Sequence, residues 1–352
     1  MKTRWWNSTI CSWLRRKTRK RSADFEHLTP EVLRDRVEDA LGRHRTGLTI
    51  PLPSYINRVY ELQTRSGERV IAKFYRPGRW SRQAIEDEHL FLADCVEAEI
   101  PVVPPLQLPG GGTLSEAEGT FFAIFPKKAG RVFELNADED WTRMGSLLGR
   151  IHQAGARRGA RDRITLHPDT STRADLDFIV RGGFITPDHR SAFEDLSSRI
   201  VEDISPLFEE TGSMRIHGDF HRGNLLDRPG EGLMVIDFDD MMEGPPVHDL
   251  WLLLPDHAGR SRREIDLILA GYEQFREFDY SSLRLIECLR FMRIVYYLAW
   301  CARQAADYDF RTNHPDWGSD TFWQKELLDM GHQYQVIMEH KVAWEEGRFF
   351  GG

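Results

Sequence analysis

Ile216-His217-Gly218-Asp219-Phe220-His221-Arg222-Gly223-Asn224-Leu225-Leu226 holds the most informative spacing in the chain. Asp219 is followed five residues later by Asn224, which puts a carboxylate and an amide on one short loop. Such an Asp can accept the proton of an attacking hydroxyl, and such an Asn can offer its oxygen to a metal ion. Both roles need one tight loop with the two side chains turned into the same cleft. Downstream, Asp227 to Gly232 reads as a turn, and Leu233-Met234-Val235-Ile236 as a buried strand ending in Asp237. A carboxylate at the end of such a strand can bridge phosphate groups through Mg²⁺. Asp-x4-Asn alone is a weak pattern. With His217-Gly218 before it and a strand–Asp after it, the signal is strong.

The N-terminal half supplies matching parts. Thr29-Pro30-Glu31 predicts a helix start, with Val32, Leu33, Val37 and Leu41 on one face. From Leu48 the pattern turns to short strands. Arg58 to Gln63 and Arg69 to Arg76 are β-rich runs joined by Arg65-Ser66-Gly67-Glu68, a hairpin signal. Ser81 opens a helix running to about Ala98, and Phe121 to Phe125 is a further strand. On that helix Ala84, Ile85, Phe91, Leu92, Cys95 and Val96 form one apolar stripe, with Glu88 at its middle and Glu86 pointing away. A carboxylate centred on a buried face is costly unless paired, so Glu88 requires a cation. Lys73, in Val70-Ile71-Ala72-Lys73-Phe74, is the expected partner.

The 352 residues carry 47 Lys+Arg against 55 Asp+Glu, a net charge of −8. Residues 1–22 hold eight basic residues and no acid, so the remaining chain carries −16. A body that acidic is a poor nucleic-acid binder, since phosphate contacts need a basic surface. No specific nucleic-acid partner is expected. The longest apolar run, Ile294 to Ala302, is far short of the roughly 18 residues a membrane span needs. Cys11, Cys95, Cys288 and Cys301 form no CxxC pair, which excludes a zinc knuckle and fits a reducing cytoplasm. The pattern predicts an α+β chain in three parts. They are a basic head over residues 1–23, an antiparallel-sheet lobe over 24–126, and a mainly helical lobe over 127–352.

The motifs together resemble the protein-kinase-like superfamily, in the branch of aminoglycoside phosphotransferases and choline kinases, and more closely the bacterial stress response kinase A family. The spacing of Asp219 and Asn224 is that of the kinase catalytic loop, and Val70 to Lys73 is close to the kinase V-A-I-K. Further shared signatures are Ser54-Tyr55-Ile56-Asn57-Arg58-Val59-Tyr60, Ala72-Lys73-Phe74-Tyr75-Arg76-Pro77, Gly244-Pro245-Pro246-Val247-His248-Asp249-Leu250-Trp251, and Met292 to Trp300. The resemblance spans about residues 24–345. It implies a two-lobed kinase fold and a monomeric, cytoplasmic, ATP- and Mg²⁺-dependent serine/threonine protein kinase. By that likeness Asp219 is the base, Asn224 and Asp237 hold Mg²⁺, Lys73 orients phosphates, Glu88 positions Lys73, and ATP sits near Phe125-Pro126-Lys127. A small-molecule kinase and a silent nucleotide-binding scaffold are the rival readings. The intact Lys73, Asp219, Asn224 and Asp237 set argues against the scaffold.

Two departures stand out. No G-x-G-x-x-G is present; the turn is Pro53-Ser54-Tyr55-Ile56-Asn57, and the resemblance gives the phosphate-contacting task to Ser54. The DFG motif is replaced by Asp237-Phe238-Asp239, and Phe238 to Asp249 holds no Ser, Thr or Tyr, so activity without loop phosphorylation is expected. Asp239, Asp240 and Glu243 suggest an acidic floor that would favour a cationic acceptor, protein or small molecule. Several residues read as structural instead. His217 braces the loop, His152 is a core histidine, Asp249 caps N–H groups or holds the catalytic loop, and Tyr296, Tyr297 and Trp300 fill the core.

Overall fold

Along Arg69–Phe74, side chains alternate between two faces of a strand. Val70, Ala72 and Phe74 enter an apolar core with Leu33, Val37, Leu62, Phe122 and Ile124, while Lys73 is left on the opposite face. That parity aims the lysine into the cleft. The computed structural model describes residues 25 and 28–348, apart from residues 43, 44, 55, 65, 66 and 229. The basic head, Tyr55, and Arg65 and Ser66 of the expected hairpin turn lie outside the described residues.

In chain order the elements begin with α1 (Pro30–Leu41), β1 (Arg45–Leu52), β2 (Arg58–Thr64), β3 (Arg69–Phe74) and α2 (Arg82–Glu97). Next come β4 (Leu114–Ala117), β5 (Thr120–Pro126), β6 (Arg131–Val132) and α3 (Asp138–Gly155). Helices α4 (Arg173–Arg181) and α5 (Pro187–Phe208) lead into β7 (Met214–Ile216), β8 (Leu225–Arg228), β9 (Gly232–Val235) and β10 (Met242–Gly244). The chain finishes with α6 (Val247–Trp251), α7 (Arg262–Tyr272), α8 (Ile286–Gln304), α9 (Tyr308–Asn313) and α10 (Asp320–Glu345). Strands β1-β2-β3-β5-β4 form one antiparallel sheet, with Lys73 opposite Val59 and Ala123. This is the small antiparallel lobe; the helical lobe follows it, with β6-β8-β9 and β7-β10 as two small sheets. Among the described residues no helix is long and apolar enough to cross a membrane.

Both expected helix starts are capped as the sequence indicates. Thr29 Oγ1 accepts from Val32 N–H and Ser81 Oγ from Ala84 N–H. Helix α2 buries Ala84, Ile85, Glu88, Phe91, Leu92 and Cys95, but Val96 is 45% exposed, one residue beyond the stripe. Phe91, Leu92 and Cys95 join the large core of the helical lobe rather than the sheet's own core. One short helix therefore carries Glu88 between the two lobes. Strand β4 and strand β10 escaped the sequence reading, because four and three residues are too few to show a period. In the helical lobe α3 and α7 approach backbone to backbone. A Cβ on Gly145 would lie 1.9 Å from the Ile268 carbonyl oxygen, so only glycine fits there.

Candidate active site

The catalytic-loop candidate begins where β7 ends. Gly218 has φ +80°, and a Cβ there would come within 2.1 Å of the Asp240 carbonyl oxygen. Glycine is required for both reasons. Asp249, at the start of α6, accepts from His217 N–H at 2.7 Å and Gly218 N–H at 2.8 Å, and from His152 Nε2 at 3.0 Å. Burial opposes its charge, but these donors and histidines outweigh burial and keep it below the ordinary carboxylate range. His152 is wholly buried and also meets the Tyr272 hydroxyl at 3.1 Å. Thus Asp249 holds the loop and His152 holds Asp249. His217 contacts Asp219 N–H through Nδ1 and the Ile236 carbonyl through Nε2, at 3.2 and 3.1 Å. His217 and Asp249 serve the loop as the sequence indicates; His152, expected only as a core histidine, is buried and braces the loop through Asp249.

Within that frame Asp219 and Asn224 come together. Asn224 Nδ2 donates to the Asp219 carbonyl at 2.9 Å and to its Oδ2 at 3.3 Å. With the amide nitrogen so used, the Asn224 oxygen is left to accept a cation. Ile236 N–H donates to the Asn224 carbonyl at 3.0 Å, so the loop runs beside the strand that ends in Asp237. Asp237 itself adopts φ 65°, ψ 69°. A non-glycine residue pays about 1–2 kcal/mol for that conformation, which here turns the carboxylate out of the strand line, with its side chain 55% exposed.

Lys73 is the hub of the opposite wall. Its Nζ lies 3.1 Å from Asp239, 3.3 Å from Asp237 and 3.5 Å from Glu88. Burial lowers its proton affinity, yet these carboxylates more than offset that and hold it well above the ordinary lysine value. The Lys73–Glu88 pair is therefore present, but it is not the tightest contact of either residue. Glu88 meets the fully buried Arg163 at 3.0 Å. Arg163 also donates to the carbonyls of Ala84 and Asp239, at 2.6 and 2.7 Å, beneath the Trp80 ring. Burial pushes the Glu88 carboxyl up despite both cations.

The acidic floor is corrected by the same contacts. Asp239 is paired with Lys73 and Arg79, and accepts from Asn57 Nδ2 at 3.2 Å. Asp240 takes the other arm of Arg79 at 2.5 Å and the Tyr296 hydroxyl at 3.1 Å. Glu243 accepts from Ala160 N–H at 2.6 Å. These carboxylates are engaged by the protein's own donors, so they do not form a free surface for a cationic acceptor. Burial would raise the Asp239 carboxyl, but Arg79, Lys73 and Arg163 hold it far below the usual range. The aromatic run is corrected too. Tyr296, Tyr297 and Trp300 are half-buried rather than core, and Tyr296 takes part in the cleft network.

Residues the sequence reading missed are all basic or amide groups remote in sequence: Asn57, Arg79, Arg163 and Arg293. Asn57 and Arg293 stand inside quoted signatures, which is the one signal that could have found them; Arg79 and Arg163 stand outside all of them. Ser54 is half-buried between β1 and β2, in the turn that also carries Asn57. The segment after Asp237 is stitched down: Phe238 packs edge-on to Phe91 with centroids 5.4 Å apart, and β10 pairs with β7. No long loop intervenes before α6.

The donor chemistry suits a hard cation. Glu88, Asp237, Asp239 and Asp240 face Lys73, Arg79 and Arg163, four carboxylates against three cations, with Asp237 the exposed one. Among the described residues no group of three His, Cys, Asp or Glu could cage a metal alone. An Asn oxygen plus one or two carboxylates fits Mg²⁺, which completes its shell with water and phosphate oxygens.

Residues 49–286 match the phosphotransferase enzyme family. The chain belongs to that family. It is 36% identical over 321 residues to stress response kinase A of Salmonella paratyphi A, covering 90% of this chain and 95% of that protein. The serine/threonine protein kinase RdoA of Salmonella typhimurium is equally similar, 36% over 321 residues with the same coverage. Among solved structures, the phosphotransferase resembles amicoumacin kinase hAmiN in complex with AMP-PNP, Ca²⁺ and Ami. The TM-score is 0.68 at 17% identity, over 88% of this chain and 93% of that one. That likeness speaks for the fold. The phosphotransferase is thus an enzyme of the kinase type, built as the α+β two-lobed architecture its motifs predict.

Proposed function

We propose that this phosphotransferase is an ATP- and Mg²⁺-dependent serine/threonine protein kinase of the stress response kinase type. The observation that carries the reading is the juxtaposition of Asp219 and Asn224 on one braced loop beside Asp237, in a chain 36% identical to stress response kinase A. The nucleotide lobe would span residues 24–126 and the acceptor lobe 127–352. Strand β5 ends at Pro126, and the next strand, β6, pairs with β8 of the helical lobe. The chain would act as a cytoplasmic monomer, in keeping with its free, buried Cys95, Cys288 and Cys301.

Asn224 and Asp237 would hold Mg²⁺, which when bound neutralises phosphate charge. Lys73, kept protonated by its carboxylates, orients the phosphates, and Glu88 fixes Lys73 from α2. Ser54, in the turn joining β1 and β2, would contact the phosphates. Asp219 accepts the hydrogen bond of the acceptor hydroxyl and takes its proton. Burial would raise the Asp219 carboxyl, but Arg293 and His221 hold it far below its usual value, so it stays ionised. A weak base suffices where the transition state is loose and positioning carries the catalysis.

The test is purified protein with γ-³²P-ATP and Mg²⁺, alone, with myelin basic protein, and with a panel of aminoglycosides and choline-type alcohols. Labelled phosphoserine or phosphothreonine is the expected result. Rapid, saturable labelling of a small molecule, with no protein labelled, would sink the protein-kinase reading and leave the family assignment standing.

A further inference from the structure

Arg293 reaches the catalytic-loop candidate from α8, 74 residues away in sequence. Its Nη2 donates to Asp219 Oδ1 at 2.6 Å. The guanidinium lies over the Tyr296 ring, 4.9 Å from the centroid, and the Tyr296 hydroxyl donates to Asp240 at 3.1 Å. Arg79 of the small lobe grips Asp240 in turn at 2.5 Å. A chain of contacts thus runs from the small lobe through Asp240, Tyr296 and Arg293 to Asp219.

The two carboxylate oxygens of Asp219 are divided. Oδ2 faces its own loop, with Asn224 Nδ2 and His221 Nε2 each at 3.3 Å. Oδ1 is met by Arg293. The terminal torsion of an aspartate is a broad, soft one, so a carboxylate anchored through a single oxygen lets its plane turn about the Cβ–Cγ bond. A second anchor on the other oxygen removes that freedom. Both arginine and carboxylate are about one-fifth exposed, which places the contact at the cleft wall rather than in the core.

We infer that Arg293 is a positioning residue for phosphoryl transfer: anchored over Tyr296, it fixes the plane of the Asp219 carboxylate relative to the acceptor hydroxyl. This rests on the assignment of Asp219 made above. Arg293 acts through Asp219 and needs no contact with either substrate.

The full-length protein is assayed with γ-³²P-ATP and myelin basic protein, as wild type, Arg293→Met, Arg293→Lys, Asp219→Asn and the double variant Asp219→Asn/Arg293→Met. Arg293→Met lowers kcat by about 10- to 100-fold, the scale for a misplaced catalytic group, with KM for ATP and acceptor within about twofold. Arg293→Lys recovers part of the loss, because it restores a charged donor toward Oδ1. In the Asp219→Asn background Arg293→Met costs less than about threefold, since the effect has no carboxylate to act through. An equal fold-loss in both backgrounds overturns the inference, as does a raised acceptor KM at unchanged kcat. Thermal melts accompany each variant. Should Met lower the melting temperature below the assay temperature, the whole cycle is run below the melting temperature of its least stable member. Near-normal turnover of Asp219→Asn removes the reading of Asp219 itself; an inactive Asp219→Asn beside an unaffected Arg293→Met removes only the role of Arg293.

Discussion

The loop of residues 217–224 and the ion cluster around Lys73 form opposite walls of one cleft, yet they are built on different principles. The loop is held by backbone: Asp249 takes two of its N–H groups, Gly218 makes its turn, and Asn224 reaches back five residues to Asp219. The cluster is held by side-chain charge over long sequence distances: Lys73 to Asp239, Arg79 to Asp240, Arg163 to Glu88. One wall is fixed by hydrogen bonds to its backbone and the other by mutual neutralisation in a buried setting. Removing a group from the first should stop chemistry while sparing the fold. Removing one from the second should cost stability first.

The largest effect belongs to the loop. Asp219→Asn should reduce phosphoryl transfer more than about 10²-fold, the scale for losing a general base, with ATP binding measured by calorimetry nearly unchanged. A variant that kept near-normal turnover would break the assignment. For the cluster, Asp239→Ala leaves Lys73, Arg79 and Arg163 facing a lost carboxylate in a buried site. Destabilisation of about 3–5 kcal/mol is expected by urea titration, as for other broken buried pairs. Asp237→Ala, at an exposed carboxylate, should cost less than about 1 kcal/mol of stability, the scale of an exposed pair, but abolish the Mg²⁺ dependence of activity. The reverse outcome, with Asp239 needed for metal and Asp237 for stability, would exchange the two roles.

The smallest prediction uses a carboxyl outside both walls. Glu326 on α10 is buried like Asp239, but its nearest cation, Lys325, stands 3.9 Å away. Burial lifts its carboxyl to about 7, where three cations hold Asp239 down. The folded state therefore binds the Glu326 proton more tightly than the unfolded chain does. Stability should fall as pH rises from about 4.5 to about 7, by roughly 1–3 kcal/mol. Glu326→Gln should flatten that part of the profile in thermal melts. An unchanged profile would mean that burial alone does not separate the two carboxyls.

Legibility followed the same division. Asp219 and Asn224 could be read because five residues of chain leave few ways to place them, and Asp237 because it follows an apolar strand. Glu88 was found from a buried stripe, since an acid at its centre must meet a cation. Its closest partner, Arg163, left no trace in a polar segment with four arginines between 157 and 163. Asp239, Asp240 and Glu243 looked like a free acidic surface because charge can be counted along a chain, whereas neutralisation cannot. Tyr296 looked like core because helical spacing tells which residues share a face and not whether that face meets protein or a cleft.

Local geometry along the chain therefore dictates the strand parity that aims Lys73, the caps of α1 and α2, the glycine turn before Asp219, and the two-lobed α+β order. Which charges cancel, and what braces Asp219, emerges only from packing. Arg79, Arg163 and Arg293 reach their carboxylates across 160, 75 and 74 residues respectively. An ion pair has no period or spacing: its energy depends on distance and burial in space, which the order of residues along the chain does not encode locally.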